Sequence, residues 1–279
     1  MTIDPVLAFE SLGYTEREAV FLYLAAVHSG YFLRRQFNYF IDREKGYIAQ
    51  HFVEKARVAG HVEVIDYGQG RFVYHLFSKT IYRLLGNAES QNRRRKGDSQ
   101  IRARLMALDY FLENNGEHYL ETDEAKRNFF LRTRSIQSSL LNGTHERLHS
   151  FLSLLPVSVV DHTRPASSLV RFAFMDEGLL STTKFERYLA ELEPLMRALG
   201  MFEVVYTALT ELQFVSAERL FHRAFSAPVP DRQRGLGENW AVPTAASRAR
   251  EAHFSATFST LLFHYPYPPL LRNELQRSA

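Results

Sequence analysis

The 279 residues contain no cysteine. That excludes a disulfide framework, thiolate metal sites and thiol catalysis, and it fits a reducing compartment. Long apolar runs are missing as well: the longest, such as Ala19–Val27, fall far short of the roughly 20 residues that span a bilayer. Met1–Glu10 carries Asp4 and Glu10 and no basic segment ahead of an apolar core, so no signal peptide is readable. A cytoplasmic location without a membrane partner is therefore expected. Nor is there a Walker A pattern, a G-x-S-x-G elbow or a G-x-G-x-x-G fingerprint. Gly235-Leu236-Gly237 runs into Glu238-Asn239-Trp240 and reads as a loop, not as a phosphate cradle. No repeat is visible, and no cofactor is expected.

What is present is an ordinary globular composition with an uneven distribution of charge. Hydrophobic residues make up 46% and charged residues 23%, enough for a sizeable core divided among one or two domains. Between Tyr31 and Lys96, thirteen Lys and Arg stand against six Asp and Glu, a net +7. Against the overall +3, the rest of the chain carries −4. A basic block in a nearly neutral chain is the footprint of a polyanion partner.

Local signals order the N-terminal part. Thr15-Glu16-Arg17-Glu18 is a capping box opening an apolar helix through Val27, ended by Ser29-Gly30. A short helix over Phe32–Ile41 follows, and Asp42 is expected to cap a third helix from Arg43 to Ala59, stopped by Gly60. His61–Tyr67 and Arg71–Phe77 are strand-like runs joined by Gly68-Gln69-Gly70, a hairpin signal. Ser78 caps one more helix before Gly86. Residues 87–100 are polar and without apolar periodicity, as expected of a basic linker.

Beyond it, helical patterns cover Ile101–Leu112 and Asp123–Leu131, with another after Asn142-Gly143-Thr144. Val157–Val160, Leu169–Phe174 and Phe202–Ala208 read as strands. They alternate with a helix opened by Thr183-x-x-Glu186, running to Leu199 and kinked or divided at Pro194, and with one over Ser216–Phe225. That spacing predicts a small α/β unit with a parallel pair. Residues 226–249 read as a long loop and Arg250–Phe263 as a final helix.

The third helix carries the functional argument. At about 100° per residue, Ile48, Ala49, Phe52, Val53 and Ala56 share one arc. Tyr47, Gln50, His51, Glu54, Lys55 and Arg57 share the opposite one. Gln and Lys offer donors to base edges or phosphates, and Tyr and His can do either. Arg43 and Lys45 are placed in the first turn, where the helix N-terminus also favours phosphate. Gln69 and Arg71 at the hairpin tip are positioned to touch a sugar-phosphate backbone. Arg34 and Arg35 of the second helix, and the Arg93-Arg94-Arg95 run, complete the candidate DNA-contacting set.

From Gly13-Tyr14-Thr15-Glu16-Arg17-Glu18 through Gly60-His61-Val62 and Gly68-Gln69-Gly70, the chain resembles the N-terminal domain of the replication-relaxation family of plasmids and mobile elements. It also resembles MarR-type regulators. The resemblance covers about a third of the chain. It implies sequence-directed binding of double-stranded DNA, often by a homodimer, with residues 43–58 as the reading helix and 67–72 as the wing.

The expected fold class is α+β. It comprises a winged helix-turn-helix at 1–86, the linker at 87–100, and a helical and α/β domain at 101–279 for dimerisation or protein-partner binding. The expected role is a transcriptional regulator or mobile-element accessory factor without catalytic residues.

Two other readings compete. His145-Glu146-Arg147-Leu148-His149 spells H-E-x-x-H, which on a helix would bind zinc and make a DNA-tethered hydrolase. Its context is poor: Thr144 puts it in an exposed first turn, Arg147 adds a cation, and a third ligand would have to be His162 or Glu177. The α/β unit has the outline of a nuclease fold, with Asp161 and Asp176 at strand ends. However, the strand Glu203-Val204-Val205 lacks the lysine such a site needs. A winged helix that binds protein in place of DNA is the remaining reading.

Overall fold

A computed structural model describes residues 4–43, 46–141, 156–160, 163, 165, 168–178, 181–226 and 251–258, the last span by its backbone alone. The chain divides into two compact units, Met1–Asn115 and Gly116–Phe258. Both mix helix and strand, so the α+β class holds.

In the first unit, helix α1 (Pro5–Glu10) starts where the Asp4 carboxylate accepts from the Val6 amide. Helix α2 (Glu16–His28) carries the expected capping box: the Thr15 amide donates to Glu18, and the Glu18 amide to the Thr15 hydroxyl. Strand β1 (Tyr31–Phe32), helices α3 (Arg34–Phe40) and α4 (Tyr47–Val58), and strands β2 (Val62–Asp66) and β3 (Phe72–Leu76) follow. Then come α5 (Lys79–Leu84), a 3-10 turn (Gln91–Arg93) and α6 (Asp98–Glu113). The strands make an antiparallel sheet in the order β1-β3-β2. Aromatic rings fill the core, with Phe52 of α4 stacked 4.2 Å from Phe37 and set edge-on to Phe21 at 5.8 Å.

Two expectations for this unit are corrected. The third helix begins at Tyr47, four residues after Arg43. Asp42, with φ 55°, closes α3 instead of capping α4: its amide donates to the Tyr39 carbonyl, and the Arg43 amide reaches back to Asn38. A short polar side chain tolerates the left-handed conformation that such a helix end requires. Gly46 then stands at the N-cap.

The second correction concerns 87–100, which are not a free linker. Asn92 donates to the Ala26 and Val27 carbonyls at the end of α2, and its carbonyl oxygen lies 3.2 Å from His75 Nε2. Tyr31 accepts from the Lys96 amide and donates to the Arg94 carbonyl. The segment straps the sheet face opposite the core, so tightly that a Cβ on Gly30 would meet the Asn92 carbonyl oxygen at 2.5 Å. Its polar composition satisfies the orphan carbonyls of α2. Leu108 and Leu112 of α6 join the same core, so the division falls after Asn115.

In the second unit a five-stranded sheet runs β4 (His118–Tyr119), β5 (Val157–Val159), β6 (Val170–Asp176), β7 (Met201–Ala208) and β8 (Glu251–Phe258). The first two pairings are antiparallel and the last two parallel. Helix α7 (Asp123–Asn128) passes into a π-helical turn (Phe129–Thr133), and α8 (Ser138–Leu141) follows. Helix α9 (Thr183–Leu199) connects β6 to β7, and α10 (Phe214–Ser226) connects β7 to β8. Alternate residues of the strands, Phe172, Phe174, Val204 and Tyr206, pack against Phe185, Tyr188 and Leu192 of α9 and Phe221 of α10.

The helix expected over Arg250–Phe263 is replaced, within the described residues, by β8, which pairs with β7 from Met201↔Glu251 to Ala208↔Phe258. An eight-residue ladder overrides the helical preference of its alanines. Thr182, not Thr183, is the N-cap of α9. That helix also runs unbroken through Pro194. The carbonyl freed by the missing N–H is that of Ala190, an exposed position where water can take the donor's place.

Candidate nucleic-acid interface

Helix α4 docks by Ala49, Phe52, Val53 and Ala56, all buried as expected from its periodicity. Its other side is open: Tyr47 is 77% exposed, and Gln50, His51 and Glu54 are exposed. Ile48, expected on the docked arc, is 53% exposed. It lies at the margin of that arc and in the first turn, so no preceding turn of α4 covers it. Val58, at 74%, adds a second apolar group to the open side.

The cations of α4 reach the surface, but both are engaged by carboxylates of the first unit. Lys55 Nζ donates to Glu18 Oε2 at 2.5 Å and to the Gly13 carbonyl, and it sits 5.4 Å from the Tyr14 ring centre. It fastens α4 to the capping box of α2. Arg57 forms a two-pronged ion pair with Glu54 through Nε and Nη2, at 2.9 and 2.6 Å. That partner holds the Glu54 carboxyl below its ordinary value and the guanidinium above its own.

The remaining expected groups divide in the same way. Arg35 is withdrawn from the set, because its guanidinium faces the buried Asp109 carboxylate at 3.3 and 3.5 Å. Gln36 donates to that carboxylate at 2.6 Å, so the group ties α3 to α6. Arg93 is likewise structural, donating to the Phe77 and Ala88 carbonyls. Arg94 and Arg95 are exposed, but on the strap over the sheet. Arg34 and Arg43 are exposed at the start of α3 and in the turn before α4, and Lys45 lies outside the described residues.

At the hairpin tip Gly68, Gln69 and Gly70 all have positive φ, at 79°, 55° and 74°. The two flanking glycines accept that conformation freely and hold Gln69 out in solvent. Arg71 is half-buried, its Nε donating to the Gly68 carbonyl at 3.2 Å.

Between the ends of α3 and α6 lies a cleft of about 580 Å³ lined by Asn38, Tyr39, Asp42, Arg43 and Glu113. No local pattern in the chain announces it, since it depends on α6 folding back.

The competing constellations fare differently. His145, Glu146, His149, His162 and Asp161 lie outside the described residues. Among the described residues no group of three or more His, Asp or Glu is placed to hold a metal ion. Asp176 is fully buried at the end of β6, accepting from the Tyr206 phenol at 2.6 Å and the Gly178 amide at 2.9 Å. Burial raises its pKa. In register it pairs with Ala208, while Glu203 pairs with Arg171. Five residues of strand, roughly 16 Å, therefore separate the two carboxylates, too far for one metal.

No model of a protein family, no curated protein and no solved structure matches this chain. No helix among the described residues is long and apolar enough to cross a membrane.

Proposed function

We propose that the N-terminal unit is a winged helix-turn-helix that binds double-stranded DNA, with α4 in the major groove and the β2–β3 hairpin against the backbone. The open side of α4 carries the reading. Tyr47, Gln50 and His51 stand outward on a helix whose other side is anchored by Phe52. The order helix, strand, helix, helix, strand, strand, with the first strand paired to the third, is the arrangement a wing requires. Arg34, Arg43 and Gln69 supply exposed polar groups for the phosphates. In this reading the protein is a transcriptional regulator or a mobile-element accessory factor of the cytoplasm. Its C-terminal unit serves homodimerisation or a protein partner.

The test is fluorescence anisotropy on a duplex selected from a random pool, read at several salt concentrations. Affinity should fall steeply with salt. Arg34→Ala with Arg43→Ala should reduce the slope by about one per phosphate that is no longer neutralised. Duplex binding that ignores both salt and these substitutions would overturn the proposal. Capture of a protein through Tyr47 and Ile48 without any duplex affinity would favour the protein-binding winged helix.

A further inference from the structure

We infer that α4 is built to read A·T base pairs, with Ile48 against a thymine methyl and Gln50 against an adenine edge. This rests on the DNA reading above and deepens it. Guanine is most often recognised by an Arg or Lys that reaches O6 and N7. Neither cation of α4 is disposed to do so. Arg57 turns Nε and Nη2 to Glu54 in a surface pair, and Lys55 is held by Glu18 and the Gly13 carbonyl. The Glu54 oxygens, the acceptors of α4 that suit cytosine N4, already each accept from Arg57.

The side chains left on the open side are of another kind. Gln50 is exposed, and a carboxamide presents the donor and acceptor that match adenine N6 and N7. Ile48 is a large aliphatic group 53% exposed on a helix that buries its other aliphatic first-turn neighbour, Ala49, to 2%. The C5-methyl of thymine is the apolar feature of the major groove. Around the helix Ile48 and Gln50 lie about 160° apart, with Tyr47 and His51 between them. The two thus address opposite flanks of the groove floor, and the site contains A·T pairs on both. The basic excess of residues 31–96, +7 before Asp109 and Glu18 neutralise Arg35 and Lys55, supplies charge complementarity without base preference.

The experiment uses the intact protein. A random-pool selection should return a core of A·T pairs. Replacing each thymine of that core by deoxyuridine removes one methyl and leaves the pairing intact. At the position facing Ile48 affinity should fall about fourfold, equivalent to ~0.8 kcal/mol for one buried methyl. Ile48→Ala should erase that sensitivity while the salt slope persists, and Gln50→Ala should relax the preference for adenine at a separate position. A core of G·C pairs, or indifference to deoxyuridine throughout with salt-dependent binding intact, overturns this inference and leaves duplex binding standing. Absence of salt-dependent duplex binding overturns both.

Discussion

Both units seal polar side chains inside, but they differ in what they leave open. Met1–Asn115 buries Gln36, His75, Arg104 and Asp109, yet it also stands Tyr47, Gln50 and His51 on the open side of α4. In Gly116–Phe258 polar groups are sealed within. Asp176 and Thr207 are at most 2% exposed, and burial holds the Lys126 ammonium down to about 8. Sheet type accounts for part of this. Parallel strands need cover and pull strand-end polar groups inside, whereas a small antiparallel sheet can turn an edge and a hairpin to solvent. A surface like α4 is where the proposed duplex would dock. A buried pair like Asp176–Tyr206 reports only how its own interior is satisfied.

The largest expected effect comes from Phe52→Ala, which empties the aromatic centre of the first unit and should cost about 3–5 kcal/mol. Hydrogen exchange should accelerate across α2–α4 and duplex binding should vanish, while the amides of β6 and β7 stay protected. Equal loss of protection in both would mean that the two units unfold as one. Tyr206→Phe comes next. It leaves the Asp176 carboxyl without its phenol donor and should lower the stability of the second unit by about 1–3 kcal/mol, measured by denaturant melting.

Acid should sharpen the contrast. Burial lowers the His61 pKa below 6.5, so the unfolded chain binds the proton more readily. Stability of the first unit should fall as pH drops below about 6.5, and His61→Gln should remove that slope. Asp176 works the other way, because its folded pKa is raised. The second unit should gain stability as pH falls through that value toward 3.8, and Asp176→Asn should abolish the gain. Parallel slopes in the two units would remove the distinction. The smallest effect belongs to Lys55→Met. Its ion pair is 38% exposed on the lysine side, so less than about 1 kcal/mol of stability should go, with little change in duplex affinity. A large drop in affinity with unchanged melting would return Lys55 to the interface.

Much of the N-terminal architecture was legible because its signals are local. Thr15 and Glu18 announce α2, Gly60 ends α4, and the flanking glycines mark the hairpin. The candidate interface was less legible. Periodicity separated buried Phe52 from exposed Gln50, but it could not say that Lys55 would be drawn to Glu18, 37 residues earlier, or Arg35 to Asp109, 74 residues later. Charge counting treats every cation as available, and pairing at that range is invisible to it. Ile48 was misplaced for a related reason: an arc assigns a side chain to a margin, and only the neighbours decide whether it is covered.

Spacing and caps act within a few residues, and so the chain alone dictates the order of the N-terminal elements, the docked side of α4 and the absence of cysteine chemistry. Three outcomes waited for the fold: the strapping of a sheet by 87–100, the strand at Glu251–Phe258, and the choice of which cations stay displayed. Each rests on hydrogen bonds or ion pairs between segments far apart in the chain, whose partners exist only once folding has brought them together.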